Sequence, residues 1–182
     1  MHQVLQKEIQ ILPIAEEHIE SFHSCVDSVA RERLYLAGVK APPLAATREF
    51  VLANVANDIS QFVAIFHNEV IGWCGISPLQ WEGFQHGGRL GMGVHQNYRR
   101  LGIGQQLVIQ TIQKAKAKGL ERIELEVFAS NAPAIRLYEK LDFVIEGIKK
   151  KARKLEGAYD DIIEMALFIT QVVTLTREGI VS

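Results

Sequence analysis

The stretch from Leu90 to Ile109 constrains this chain more than any other. It reads as a short apolar strand, Leu90-Gly-Met-Gly-Val94, then a polar turn, His95-Gln-Asn-Tyr98. A glycine-punctuated loop follows, Arg99-Arg-Leu-Gly-Ile-Gly104, and a helix starts at Gln105-Gln-Leu-Val-Ile109. Two glycines one residue apart permit a tight backbone turn with nothing standing in front of its amides. The helix behind them exposes unpaired N–H groups and a partial positive charge at its first turn. That combination is a seat for a phosphate or pyrophosphate, or else an ordinary strand-to-helix connection that needs a left-handed residue. The loop alone leaves both readings open. It is not a Walker A loop, because Gln105-Gln106 stand where Lys and Ser/Thr would follow the second glycine. Nor is it a Rossmann fingerprint, which wants a third glycine and an acidic residue downstream within an N-terminal βαβ unit.

The 182 residues fit a single domain spanning 1–182, with a core from about residue 8 to 169, large enough to bury a substantial interior. With 48% hydrophobic and 23% charged residues the chain has the profile of an ordinary soluble globular protein. A net charge of -1 argues against a nucleic-acid-binding surface. The Gln-, Lys- and Glu-containing N-terminus is no secretory signal, and no apolar run approaches the roughly 20 residues of a membrane span. The two cysteines, Cys25 and Cys74, lack metal-ligand spacing and read as small core hydrophobes, so the expectation is a reduced, cytoplasmic protein without a metal.

In chain order, Glu8 to Leu12 reads as a strand closed by Pro13, and Ile14, His18, Ile19, Phe22, Val26, Val29 and Ala30 recur at helical spacing. Gly38 and Pro42-Pro43 keep Tyr35 to Leu44 from being helical, and Thr47 is the expected N-cap of a second helix. Gln61 to Phe66 and Val70 to Ile76 form a hairpin about His67-Asn68-Glu69, and Ser77 to Gln85 is a loop. After the strand at Leu90 to Val94, a helix from Gly104 to Lys118 is stopped by Gly119. Arg122 to Phe128 alternates, with Ile123, Leu125 and Val127 on one face and Glu124 and Glu126 on the other. A helix from Asn131 to about Leu141 and two closing strands, Phe143 to Ala152 and Tyr159 to Phe168, complete a mixed α/β domain with helices on both sheet faces.

The second constellation is Glu126-Val-Phe-Ala-Ser-Asn131-Ala-Pro-Ala-Ile-Arg-Leu-Tyr138-Glu-Lys-Leu-Asp-Phe143. Asn131 caps a helix, Tyr138 is either a packing aromatic or a placed phenol, and Glu126 is either a solvated strand residue or a placed carboxylate. Taken with the loop, in this order, it resembles the GNAT superfamily of acyl-CoA N-acyltransferases. The family's Q/R-x-x-G-x-G/A loop is matched by Arg99, Gly102 and Gly104. Its N-x-x-A-x-x-x-Y-x-x-x-G-F segment is matched by Asn131, Ala134, Tyr138 and Phe143. One departure is Asp142, where the family has glycine; Asp tolerates a positive φ better than most residues. Gly91 and Gly93 inside a strand mark a bulge or a close ligand approach, which suits a strand opening beside acyl-CoA.

The resemblance implies acetyl-CoA as cosubstrate and no metal. It implies a mixed central sheet splayed at the cofactor, with Met92, Gly93 and Val94 pairing with the pantetheine amides. The backbone amides of Arg100, Leu101, Gly102, Ile103, Gly104 and Gln105 would hold the pyrophosphate. Arg99 and Arg100 would add charge, and Asn131 and Ala134 would line the cofactor arm. An amine would attack the thioester directly through a tetrahedral intermediate, its oxyanion met by an amide near Val94. Tyr138 is the implied acid toward the CoA thiolate and Glu126 the implied base through water. Glu126 stands five residues before Asn131 and twelve before Tyr138, as does the catalytic Glu of the ribosomal-protein N-terminal acetyltransferases. His86 and His95 read as surface histidines. The basic run Lys149-Lys150-Lys151 with Arg153-Lys154 reads as a solvated strand edge. Asp160 and Asp161 are expected to pair with it or to meet a cationic amine.

The expected acceptor pocket is built from Tyr35 to Leu44, Ser77 to Gln85 and the closing hairpin, with Tyr35, Leu36, Trp81, Phe84 and Glu82 as its side chains. The closing strands resemble those of the branches acting on small amines: amino acids, polyamines or amine toxins. Protein N-terminal acetylation is the alternative within the family. A non-enzymatic acyl-CoA-binding module is the alternative outside it, its closing hairpin serving as a surface for a partner or for a homodimer.

Overall fold

The computed structural model describes residues 8–169. Seven strands form one sheet: β1 (Gln10–Pro13), β2 (Ser60–Phe66), β3 (Glu69–Pro78), β4 (Gly87–Val94), β5 (Arg122–Phe128), β6 (Val144–Leu155) and β7 (Ala158–Phe168). Their spatial order is β1-β2-β3-β4-β5-β7-β6. Every neighbouring pair is antiparallel except β4 and β5, which run parallel. Four α-helices accompany them among the described residues: α1 (Ile19–Arg31), α2 (Leu44–Ala56), α3 (Ile103–Ala117) and α4 (Ala132–Lys140).

The sheet is covered on both faces at β2 and β3, so those strands read as nearly continuous apolar runs. On one face Ala64, Ile71, Cys74 and Ile76 join Leu107 and Val108 of α3 and Tyr138 of α4 in the main core. On the other, Val63, Val70 and Trp73 pack with Phe22, Cys25 and Val29 of α1 and Val51 of α2. Phe22 meets the Trp73 indole edge-on at 5.9 Å. Farther along the sheet only the α3/α4 face is filled: Ile123, Leu125, Val127, Ile163 and Met165 face inward. Glu124, Glu126 and Glu164 stand on the opposite, open face, as the alternation of β5 predicts.

Two local expectations change. Thr47 is no N-cap: α2 starts at Leu44, the Pro43 carbonyl accepts the Thr47 N–H, and Thr47 is buried within the helix. Proline ends an extended segment and pre-sets a helix start, so the Pro-Pro pair sets the boundary ahead of the hydroxyl. β1 starts at Gln10 and ends at Pro13, as expected of its end, but Pro13 is itself paired with Phe62, which an edge strand tolerates. Asp142 adopts φ of 65°, the left-handed conformation that glycine supplies elsewhere.

Candidate active site

β4 and β5 pair only at Gly87–Arg122, Gly88–Ile123 and Arg89–Glu124. Beyond those positions β4 stays on β3 as far as Val94, and β5 stays on β7 as far as Phe128. The two parallel strands therefore part after Arg89 and Glu124, leaving a wedge along Leu90–Val94 where no ladder joins them. Strands pulled by different neighbours leave one backbone edge of β4 without a partner strand among the described residues, a template for an extended chain.

At the open end of β4 the chain turns into α3. Arg100 (φ 63°) and Gly102 (φ 75°) both take the left-handed conformation, Gly102 immediately before the first helical residue. Successive amides there converge on the helix N-terminus. The second glycine has a different reason: a Cβ on Gly104 would stand 3.1 Å from the Met92 methyl and 3.4 Å from Leu137, so its absence lets β4, α3 and α4 close up. The strand glycines also divide. Gly91 has open space where a Cβ would be, whereas a Cβ on Gly93 would fall 2.3 Å from the Trp73 ring. The space expected for a cofactor at Gly93 is filled by the indole, because cross-strand neighbours share a face.

Arg99 is spent on the protein itself. Its guanidinium forks onto Glu32, its Nε donates to the Val94 carbonyl at 2.8 Å, and it lies 4.7 Å above the Tyr35 ring. Arg100 has no carboxylate partner among the described residues and stands exposed in the loop. Leu101 and Ile103 are buried in the main core, and Gln105 accepts from Lys140 at 2.9 Å. Asn131 caps α4, its side-chain oxygen accepting the Ala134 N–H at 3.3 Å, and Ala134 packs against the main core.

Tyr138 is only 6% exposed, tilted against Phe143 at 5.6 Å, and its hydroxyl makes no hydrogen bond among the described residues. Burial, with Cys74 nearby, pushes the phenol above its ordinary value. The same desolvation pushes the Cys74 thiol up to about 12. Glu126 is half exposed on the other face of β5 and meets Lys149 Nζ at 2.7 Å; Lys149 also reaches Glu164 at 2.8 Å. Hydrogen bonds to Glu126 and Glu164 hold the Lys149 ammonium above its ordinary value. The two candidate catalytic groups thus stand on opposite faces of the sheet, with β5 between them.

A cavity of about 140 Å³ opens on the Glu126 face, lined by Tyr35, Ala37, Glu126, Val127, Phe128 and Ile162. Tyr35 and the closing hairpin belong to it as expected. The Ser77 to Gln85 segment does not: β3 runs on to Pro78, and Trp81 (79% exposed) and Phe84 lie at the paired end of β4, away from the wedge. His86 is exposed at that same end; His95 caps a short 3-10 turn through Nδ1 and leans on Tyr98. The basic run is more than a solvated edge: Lys149 holds two glutamates, Lys150 and the Lys151 amide hold Asp161, and Arg153 lies over Phe128. The strand alternation could have flagged Lys149 as facing Glu126, but a bulge in β6 hides the register.

A sequence model of the acetyltransferase (GNAT) family matches residues 25–143. The L-amino acid N-acetyltransferase AaaT of Escherichia coli is 35% identical over 109 residues, 59% of this chain and 67% of that protein. An N-alpha-acetyltransferase of Saccharolobus solfataricus is 38% identical over 112 residues, 55% of this chain and 62% of that protein, less than two thirds of its length. Among solved structures, a GNAT-family acetyltransferase from Streptococcus pneumoniae superposes with a TM-score of 0.83 at 22% identity, covering 90% of this chain and all of that one. A phosphinothricin acetyltransferase from Sinorhizobium meliloti in complex with acetyl-CoA superposes with a TM-score of 0.82 at 16% identity, covering 89% of each chain. The splayed parallel pair, the left-handed glycine before α3 and the matched sequence lead to one conclusion: the chain belongs to the GNAT family of acetyltransferases.

Proposed function

We propose that the protein moves the acetyl group of acetyl-CoA onto the primary amine of a small molecule, an amino acid, a polyamine or an amine toxin. One observation carries this reading: the wedge between β4 and β5 has on one face the phenol of Tyr138, its ring buried and its hydroxyl without a hydrogen bond among the described residues, and on the other a carboxylate beside a small cavity. The residues present suit acetyl-CoA. The free edge of β4 at Met92, Gly93 and Val94 meets the amides of its arm. The amides from Arg100 to Gln105 and the Arg100 charge meet its pyrophosphate, with Asn131 and Ala134 alongside. Arg99 contributes by fixing the end of β4, since its guanidinium is held by Glu32. When bound, acetyl-CoA supplies an acyl carbon activated by a thiolate leaving group.

Glu126, 2.7 Å from the Lys149 ammonium, takes the ammonium proton of the acceptor through water. The amine nitrogen then forms the C–N bond, and a backbone N–H near Val94 receives the charge developing on the carbonyl oxygen. As the C–S bond breaks, the Tyr138 hydroxyl gives its proton to the sulfur; the second proton on the nitrogen passes to water, which returns one to Tyr138, and the proton held by Glu126 leaves to solvent. Burial makes Tyr138 a weaker acid than a free phenol, and the thiolate leaving group is the base that takes its proton.

Protein N-terminal acetylation is the second reading, favoured by the place of Glu126 and by the Saccharolobus relative. Free-thiol release from acetyl-CoA, measured with amino acids, polyamines and an alanine-started peptide, decides. Turnover with the small amines is expected. Release with the peptide alone would establish the second reading, and tight CoA binding without release by any amine would make the protein a binding module.

A further inference from the structure

Three of the described arginines lack a carboxylate within ion-pair distance: Arg100 in the loop before α3, Arg136 on the exposed side of α4, and Arg153 on β6. Arg153 alone borders the cavity that holds Glu126. Its guanidinium lies 4.4 Å above the ring of Phe128, a lining residue, and Nη2 donates to the Arg33 carbonyl. That single hydrogen bond leaves most of the five guanidinium N–H groups unused. The carboxylate facing it in register, Asp160, is turned instead to the Ser130 hydroxyl at 2.5 Å.

The position is built. Between Lys149 and Arg153 the β6–β7 register slips, so that four steps on β6 oppose two on β7, from Ile162 to Asp160. Lys151 adopts φ of 53° in this bulge, and Asp161 holds it by accepting the Lys151 amide at 2.8 Å and the Lys150 ammonium at 2.9 Å. Bulges of this kind adjust where a side chain is delivered. Here the delivered group is a cation seated on an aromatic face, a seat that immobilises the guanidinium while leaving its charge free.

We propose that Arg153 anchors the α-carboxylate of the acceptor, so that the acceptor class is an α-amino acid with a free carboxylate. This rests on the reading of Glu126 as the group that takes the amine proton. Glu126 and Phe128 stand two residues apart on one face of β5, about 7 Å along the strand. An α-amino acid lying along that face presents its amine toward Glu126, through water, and its carboxylate toward the guanidinium over Phe128, which can fork onto it. The Tyr35 and Phe128 rings flank the space between. A polyamine offers a second cation where Arg153 stands, and the first residue of a peptide offers a neutral amide.

The test compares kcat/KM for phenylalanine, leucine, methionine and alanine with that for their α-carboxamides, in the native protein and in Arg153→Gln and Arg153→Lys, with thermal melting to establish folding. The native protein should favour the acids over the amides by tenfold or more, chiefly through KM. Arg153→Gln should bring that ratio to within twofold of one, and Arg153→Lys should restore an intermediate ratio. Equal use of acids and amides by the native protein, a ratio unmoved in Arg153→Gln, or preference for spermidine or an alanine-started peptide would overturn the anchor while leaving acetyl transfer intact. Should Arg153→Gln fail to fold, the ratio in Arg153→Lys decides. No thiol release with any of these compounds, in protein that binds acetyl-CoA, would overturn the transfer reading and the anchor with it.

Discussion

Arg99 and Glu32, 67 positions apart in the chain, form a forked ion pair in which Nη1 donates to Oε2 at 2.7 Å and Nη2 to the other oxygen. With the Nε bond to Val94 it ties the open end of β4 to the end of α1. Both side chains are mostly buried, so truncating either leaves a charge stranded. Glu32→Ala and Arg99→Ala should each lower stability by about 2 kcal/mol in urea denaturation, and Arg99→Lys should recover only part of that because an ammonium cannot fork. A midpoint unmoved in both alanine variants would show that the pair adds nothing.

Tyr138→Phe removes a hydroxyl that has no partner among the described residues, so the melting temperature should hold or rise slightly. Turnover should nevertheless fall about a hundredfold or more, with acetyl-CoA affinity kept, if the phenol protonates the leaving thiolate. Native turnover in the variant would remove Tyr138 from the chemistry.

Gly93→Ala and Gly91→Ala differ by one methyl each, two positions apart on one strand. The first drives a carbon into the Trp73 ring and should cost about 1–3 kcal/mol as an overpacked core does. The second enters open space and should change stability by less than about 0.5 kcal/mol. Equal melting of the two would contradict the assignment of Gly93 to packing.

Asp142→Gly should stabilise the fold by up to about 1 kcal/mol, because φ of 65° strains any residue with a Cβ. Acetyl transfer should not change, since Asp142 lies behind Phe143 at the end of α4. Destabilisation would mean that the carboxylate does something the backbone geometry does not require.

Alkaline pH should unfold the protein through its buried acids. Desolvation raises the Cys74 and Cys25 thiols from 9.0 to about 12 in the folded state. A group with a raised folded value favours the native state below its unfolded value and gives up that stability as pH climbs through the folded one. Stability should therefore be level up to about pH 9 and fall steadily toward 12, with Tyr138 adding to the loss above 10. Cys74→Ala should flatten the early part of that fall in pH-dependent melting, and an unchanged slope would be the contrary result.

What the sequence determined by itself was local. The glycine loop and helix start, the Asn131 cap, the alternation of β5 and the order of elements follow from backbone freedom, capping and period, each carried by residues within a few positions of one another. Recognition of the two motifs followed from the same stretches. The tertiary structure decided everything that depends on which strand lies beside which. That β4 and β5 part after three pairs, that Gly93 serves an indole from β3, and that Arg99 answers to Glu32 are contacts across long separations, which no periodicity encodes. So too is the division of labour at the wedge. Glu126 and Tyr138 are twelve positions apart in the chain, but only the sheet sets them on its two opposite faces, because a strand alternates its side chains while α4 packs on one side alone.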